Sequence, residues 1–190
     1  MFLYHYYDKD YGPFRNLSDL TDEEAASVIN RIAYEKKDSF CNQRNAEYLE
    51  KRKYYENILR EEFLKKGGKV QRHAPQYMVI GECDFLSSWY VNSAYIKIDI
   101  EEFDKSTLSF TYGDSHPTFS DLVNDGKEYR KKLYTYDEIL KVIDRYGYPQ
   151  EWNKDGVYGP ERYVEVHVWS DETLGKYYKV SPGDGVSGSG

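Results

Sequence analysis

Apolar positions along the chain recur at two different periods, and the changes of period divide it into helices and strands. Phe2 to Tyr7 is aromatic and strand-like, and Asp10-Tyr11-Gly12-Pro13 then reads as a turn. Thr21-Asp22-Glu23-Glu24 is a capping box preceded by Leu20. It predicts a helix with Ala25, Val28, Ile29 and Ile32 along one stripe. A second, highly charged helix is predicted from about residue 45 to 66. Tyr55, Ile58, Leu59 and Phe63 form its buried side, and Gly67-Gly68 stops it.

Beyond that point the period becomes that of strands. Residues 77–80, 95–100 and 108–112 are short, apolar or alternating, and separated by turn residues. A second capping box, Thr135-Tyr136-Asp137-Glu138, predicts a helix carrying Ile139, Leu140, Val142 and Ile143 and ending at Gly147. A turn-rich loop around Asp155-Gly156 and Gly159-Pro160 leads into a last strand, Tyr163 to Trp169. The order β-α-α-β-β-β-α-β lacks regular alternation. It predicts a single α+β domain over residues 1–180, with a mixed or antiparallel sheet and three main helices. Residues 181–190 have Gly/Ser linker composition and are expected to be a flexible tail outside the fold. No internal repeat is visible.

The last strand is the most informative stretch. Side chains alternate along a strand, so Val164, Val166 and Val168 share one face, and Tyr163, Glu165, His167 and Trp169 share the other. Two readings of the second face stay open. It is either solvated and paired across strands, or it presents Glu165 from a rigid element as an oriented, partly desolvated carboxylate.

Composition adds limits. At 190 residues with 39% hydrophobic and 31% charged positions, the chain is long enough for a real core. No apolar run approaches the ~18 residues of a membrane-spanning helix. The opening residues lack a basic stretch followed by an apolar one, so a secretory leader is not expected and the expected location is cytoplasmic. Cys41 and Cys83 are expected to be free thiols. The four histidines, His5, His73, His116 and His167, show no metal-ligand spacing, so no metal is expected. Dinucleotide, P-loop and nucleophile-elbow fingerprints are absent. Gly113-Asp114-Ser115-His116 reads as a polar loop, since adjacency does not make a triad.

Charge and aromatics are uneven. The net charge is −7, yet residues 51–73 hold eight basic side chains against three acids. Such a strip either faces a polyanion or is the solvated side of a long helix. Tyrosine is abundant, with 21 residues. It suits both ring-stacking pockets and protein interfaces.

Several short segments resemble the ADP-ribosyltransferase superfamily, most closely its DarT-like branch. Leu3-Tyr4-His5-Tyr6 looks like the first-strand histidine segment. Pro75-Gln76-Tyr77-Met78 with Gly81 is similar to the central strand segment. Phe110 to His116 is similar to a Phe-x-x-Asp-Gly-His region, and Tyr163 to Val168 to the closing strand that carries the glutamate. Tyr7 stands where a threonine is usual in that family. The resemblance implies NAD as co-substrate and a nucleic-acid or protein acceptor. It implies that Glu165 is the catalytic carboxylate, that His5 binds ribose and that Tyr77 stacks on nicotinamide. An NAD-contacting arginine is expected as well, with Arg72 or Arg44 the candidates. The alternative is a non-catalytic protein-binding module of the immunity, antitoxin or anti-defence type, supported by small size, acidity and tyrosine. A third reading is another enzyme, or a nucleic-acid-associated module using the basic strip.

Overall fold

The computed structural model describes residues 1–36 and 46–178. Cys41, Arg44 and the Gly/Ser tail lie outside the described residues. Within them the predicted order is found: β1 (Phe2–Asp8), α1 (Asp22–Glu35), α2 (Ala46–Lys65), β2 (Gln76–Ile80), α3 (Asp84–Ser87), β3 (Ser93–Asp99), β4 (Leu108–Tyr112), α4 (Ser115–Phe119), α5 (Tyr136–Tyr146), α6 (Pro149–Trp152) and β5 (Val164–Val168). Three helices are substantial, α1, α2 and α5. The short α3, α4 and α6 were not expected, because four or five residues show no helical period.

The five strands form one antiparallel sheet in the order β3-β1-β2-β5-β4. The fold is therefore α+β with an antiparallel sheet. The last strand in sequence lies between β2 and β4, in register Met78↔Val166 and Phe110↔Val166. Both of its edges are bonded to neighbouring strands.

One face meets the main core. Val164, Val166 and Val168 pack with Met78, Ile80, Ile98, Leu108 and Phe110 beneath Ile139 and Ile143 of α5. Each such fully buried side chain contributes roughly 1.5–3 kcal/mol through the hydrophobic effect. Both capping boxes form as predicted, with Thr21 and Glu24 opening α1 and Thr135 and Glu138 opening α5.

The opposite face is covered at two ends. Trp169 packs with Leu59 and Phe63 of α2 and with Leu133. Tyr4, Tyr6, Val79 and Tyr163 pack with Phe85 and Leu86 of α3. The α2 end is fixed where predicted: Gly67 takes φ +81°, and the Gly68 N–H donates to the Phe63 carbonyl. A Cβ on Gly68 would lie 2.4 Å from the Phe63 ring, so that position needs glycine to seat the helix on Trp169. Between the two covered ends the sheet face is open to a cleft.

The face carrying Glu165 and His167 is not solvated: Glu165 is 6% exposed, and His167 and Trp169 are 0% exposed. That excludes the solvated-face reading. Among the described residues no helix is long and apolar enough to cross a membrane.

Candidate functional site

The cleft has a volume of about 870 Å³, near the upper end of small-molecule sites. One wall comes from α2, through Tyr48, Lys51, Arg52 and Tyr55. The other comes from α3 and the segment after it, through Phe85, Leu86 and Trp89. Asp114, Tyr163 and Glu165 lie between them.

Glu165 is oriented by a buried chain of hydrogen bonds. The Trp169 indole N–H donates to Ser109 Oγ at 2.8 Å, and Ser109 Oγ meets His167 Nδ1 at 3.1 Å. His167 Nε2 is 2.9 Å from Glu165 Oε1. A carboxylate oxygen only accepts, so Nε2 carries the hydrogen and donates it. An indole only donates, so the Ser109 hydroxyl is free to turn its own hydrogen toward Nδ1. The backbone N–H of Ser115 adds a second donor to Glu165 Oε1 at 3.1 Å. Oε2 has no partner among the described residues. The strand pairing Ser109↔His167 and Thr111↔Glu165 places these groups in line.

A second carboxyl lies beside the first. Asp114 Oδ1 accepts from the His116 N–H at 2.8 Å, and Oδ2 accepts from the Tyr163 hydroxyl at 2.9 Å. Burial, and next the negative charge of Glu165, push Asp114 up to about 7, against the opposing pull of those two donors and of Arg52. Burial lowers His116, the nearby Lys51 charge adding to the effect, and its ring packs on Tyr55 at 4.7 Å.

The α2 wall holds an assembly that sequence reasoning missed. Arg52 Nε is 2.9 Å from Glu56 Oε1. The same guanidinium donates to Ser18 Oγ, the Tyr48 hydroxyl and Asn16 Oδ1, each at 3.0 Å. Glu56 Oε1 also accepts from the Tyr77 hydroxyl at 3.0 Å and from Ser18 Oγ at 2.9 Å. The Arg52 guanidinium lies 4.6 Å from the centre of the Tyr77 ring, whose edge contact with His167 is at 5.7 Å. Burial acts to lower Arg52, but Tyr48, Tyr77 and Glu56 outweigh it and hold the group charged. Burial, followed by the Glu56 charge, holds the Tyr77 hydroxyl well above its ordinary range.

The structure brings His5, Tyr77 and Glu165 to one cleft and leaves Arg72 out of it. His5 has little to offer a ligand through its nitrogens. Nε2 accepts from the Phe14 N–H at 2.8 Å, so Nδ1 carries the hydrogen and donates to the Tyr77 carbonyl at 2.9 Å. The β1–β2 register extends only over Leu3 and Tyr4, and His5 bridges the strands where that pairing ends. Tyr77 is bonded through its hydroxyl and carries Arg52 on its ring, so a stacked ligand would use what that contact leaves of the ring. Arg72 ties chain segments together elsewhere: it pairs with Asp19 at 2.6 Å and with Asp171, and donates to the Ala74 carbonyl at 3.0 Å. Arg52, 18% exposed, is the arginine that α2 contributes to the cleft.

The basic strip is largely neutralised within the fold. Lys51 pairs with Glu47, Arg52 with Glu56, Lys53 with Asp22, Lys65 with Glu62, Lys66 with Glu138, Lys69 with Asp104, and Arg72 with Asp19 and Asp171. Arg60 donates to the Arg72 carbonyl. The tyrosines too are mostly used internally, with only Tyr34, Tyr54, Tyr95, Tyr158 and Tyr178 among the exposed large hydrophobics.

The loop before β5 is held by buried polar contacts. Asn153 Nδ2 donates to the Gly159 and Glu161 carbonyls, and the fully buried Glu161 pairs with Lys127 at 2.9 Å and with Arg130. Arg162 then lies 3.8 Å over the Phe85 ring on the α3 wall. No group of acids, histidines and cysteines suited to a metal ion occurs among the described residues. Comparison with protein-family models, curated proteins and solved structures finds no match for the chain.

Proposed function

We propose that this chain is an ADP-ribosyltransferase-like protein that cleaves the nicotinamide–ribose bond of NAD and passes the ADP-ribosyl group to a macromolecular acceptor. The observation that carries the reading is Glu165, a buried carboxylate held in one orientation on a doubly paired strand and lining a cleft large enough for a dinucleotide. Breaking a ribosyl–nitrogen bond develops positive charge on the ribose. A fixed, water-poor carboxylate stabilises that charge more than it stabilises the ground state. The aromatic walls, with Tyr55 and His116 on one side and Phe85 and Trp89 on the other, suit flat rings. Arg15 lines the same cleft and offers positive charge for a diphosphate.

In this reading His5 and Tyr77 shape the cleft floor. The ribose contact assigned to His5 by resemblance moves to other lining groups, because both imidazole nitrogens are already bonded to backbone. The alternative of a binding module loses support, since most of the tyrosine that suggested it is spent in the core and the cleft.

The test is nicotinamide release from NAD by the wild-type chain and by Glu165→Gln. The variant keeps the side-chain shape and is expected to lower the rate by about 10²–10³-fold. An absence of both NAD turnover and an NAD-induced thermal shift in the wild type would end the proposal.

A further inference from the structure

We infer that Asp114 is a second catalytic residue, the base that takes the proton from the attacking acceptor. This rests on the reading of Glu165 just given. Two carboxyls lie in one cleft in different surroundings. Glu165 receives two N–H donors on one oxygen, from Ser115 and His167, and is held in one orientation by them. Asp114 receives a backbone N–H from His116 and the hydroxyl of Tyr163, itself a cleft residue. The groups facing Asp114 are Glu165 on β5, Tyr163 just before it, His116 on α4 and Arg52 on α2. Of these only Glu165 opposes its ionisation, together with burial. Two carboxyls in unlike surroundings can take unlike roles, one stabilising developing charge and the other exchanging a proton.

The chemistry requires such a group at one step only. When the ribosyl–nitrogen bond breaks, its electron pair returns to the pyridinium nitrogen and nicotinamide leaves neutral, so no acid is needed. When a hydroxyl acceptor attacks C1′, a carbon–oxygen bond forms and the O–H proton must leave. Ionised Asp114 accepts it, becomes the carboxylic acid, and then returns the proton to solvent. Attack by nicotinamide in the reverse direction involves no proton at all.

That difference supplies the test. Asp114→Asn keeps one oxygen to accept from the His116 N–H at the start of α4, and its NH2 can donate to the Tyr163 hydroxyl oxygen. With NAD as donor, two reactions are followed: exchange of labelled nicotinamide into NAD, and transfer to methanol as a model hydroxyl acceptor. The variant is expected to keep exchange within about threefold and to lose methanol transfer by about 10²-fold. Retained exchange also demonstrates a folded cleft. The rise of methanol transfer with pH through about 7 is expected to vanish in Asp114→Asn. In Tyr163→Phe, which removes a donor that favours the ionised form, that rise is expected at higher pH. Equal loss of both reactions, or retention of both with an unchanged pH profile, would overturn the role of Asp114. Wild-type protein that catalyses neither reaction would overturn the Glu165 reading itself.

Discussion

Replacing Glu56 by Gln removes one charge from the α2 wall while keeping an oxygen to accept from Ser18 and Tyr77. What changes is the partner of Arg52. At 2.9 Å, the pair has a gross attraction of about 6 kcal/mol at an effective dielectric constant of ~20. Desolvation of both groups offsets much of that, so the intact pair adds little net stability. The single variant behaves differently, because it leaves a cation in a site where its side chain is 18% exposed. Loss of one partner of a buried pair costs about 3–5 kcal/mol, and the bonds that Arg52 keeps to Ser18, Tyr48 and Asn16 place this case near 3 kcal/mol. With a urea slope of about 2 kcal/mol/M, the midpoint falls by about 1.5 M. Arg52→Met/Glu56→Gln is expected to be more stable than the sum of the single variants implies, by about 2 kcal/mol. A Glu56→Gln midpoint within about 0.2 M of wild type, or additive single variants, would refute the claim that the cleft wall is built on this pair.

Two further expectations concern His5 and the basic strip. Burial holds the His5 imidazole down at about 4 against an ordinary value of 6.5, so the unfolded chain takes up this proton first as pH falls. The neutral ring therefore contributes its full stability above about pH 6.5 and loses it progressively down to about pH 4. The loss is about 2 kcal/mol once the partial exposure of the ring is allowed for. Urea midpoints compared between pH 7 and pH 4.5 should fall more in wild type than in His5→Gln, and equal falls would contradict the assignment. Because the strip bases are paired, a single-stranded oligonucleotide of about 30 residues is expected to bind more weakly than about 10⁻⁴ M at ~0.15 M salt, with a shallow salt slope. A slope corresponding to six or more released counterions would show that those pairs yield to phosphate.

Much of the fold was legible because local signals agreed with the tertiary result. Thr21 and Thr135 begin their helices with reciprocal caps, and Gly67-Gly68 and Gly147 end theirs. The three valines of β5 turn inward together, as period two requires. The sheet order was not legible. Which strands become neighbours depends on pairings far apart in sequence, such as Gln76↔Val168, and no local pattern encodes them. Burial of the second face of β5 was hidden for a related reason. Glu165 and His167 are polar, and what makes them tolerable inside is a set of donors brought from β4 and α4.

Arg52 was hidden in the sequence by its place among the apolar positions of α2. Along α2 the most buried positions are Leu49, Glu56, Leu59 and Phe63, with Arg52 completing the stripe at three- and four-residue steps. A period search confined to apolar residues finds Tyr55, Ile58, Leu59 and Phe63 and passes over the two charges at the stripe's centre. Yet an arginine and a glutamate four apart, on a line that continues Leu49 to Leu59, form a signal that can be read. Such a pair can neutralise itself on entering the interior, whereas the isolated charges of the same helix must stay outside or find distant partners. Arg72 sits past the helix among turn residues and found such partners in Asp19 and Asp171. The helix thus uses its apolar end to seat on Trp169 and its charged middle to fix Tyr77. The two ends of the Trp169–Ser109–His167–Glu165 line are therefore bordered by one element. A shift of α2 should disturb the packing of the indole and the surroundings of the carboxylate together.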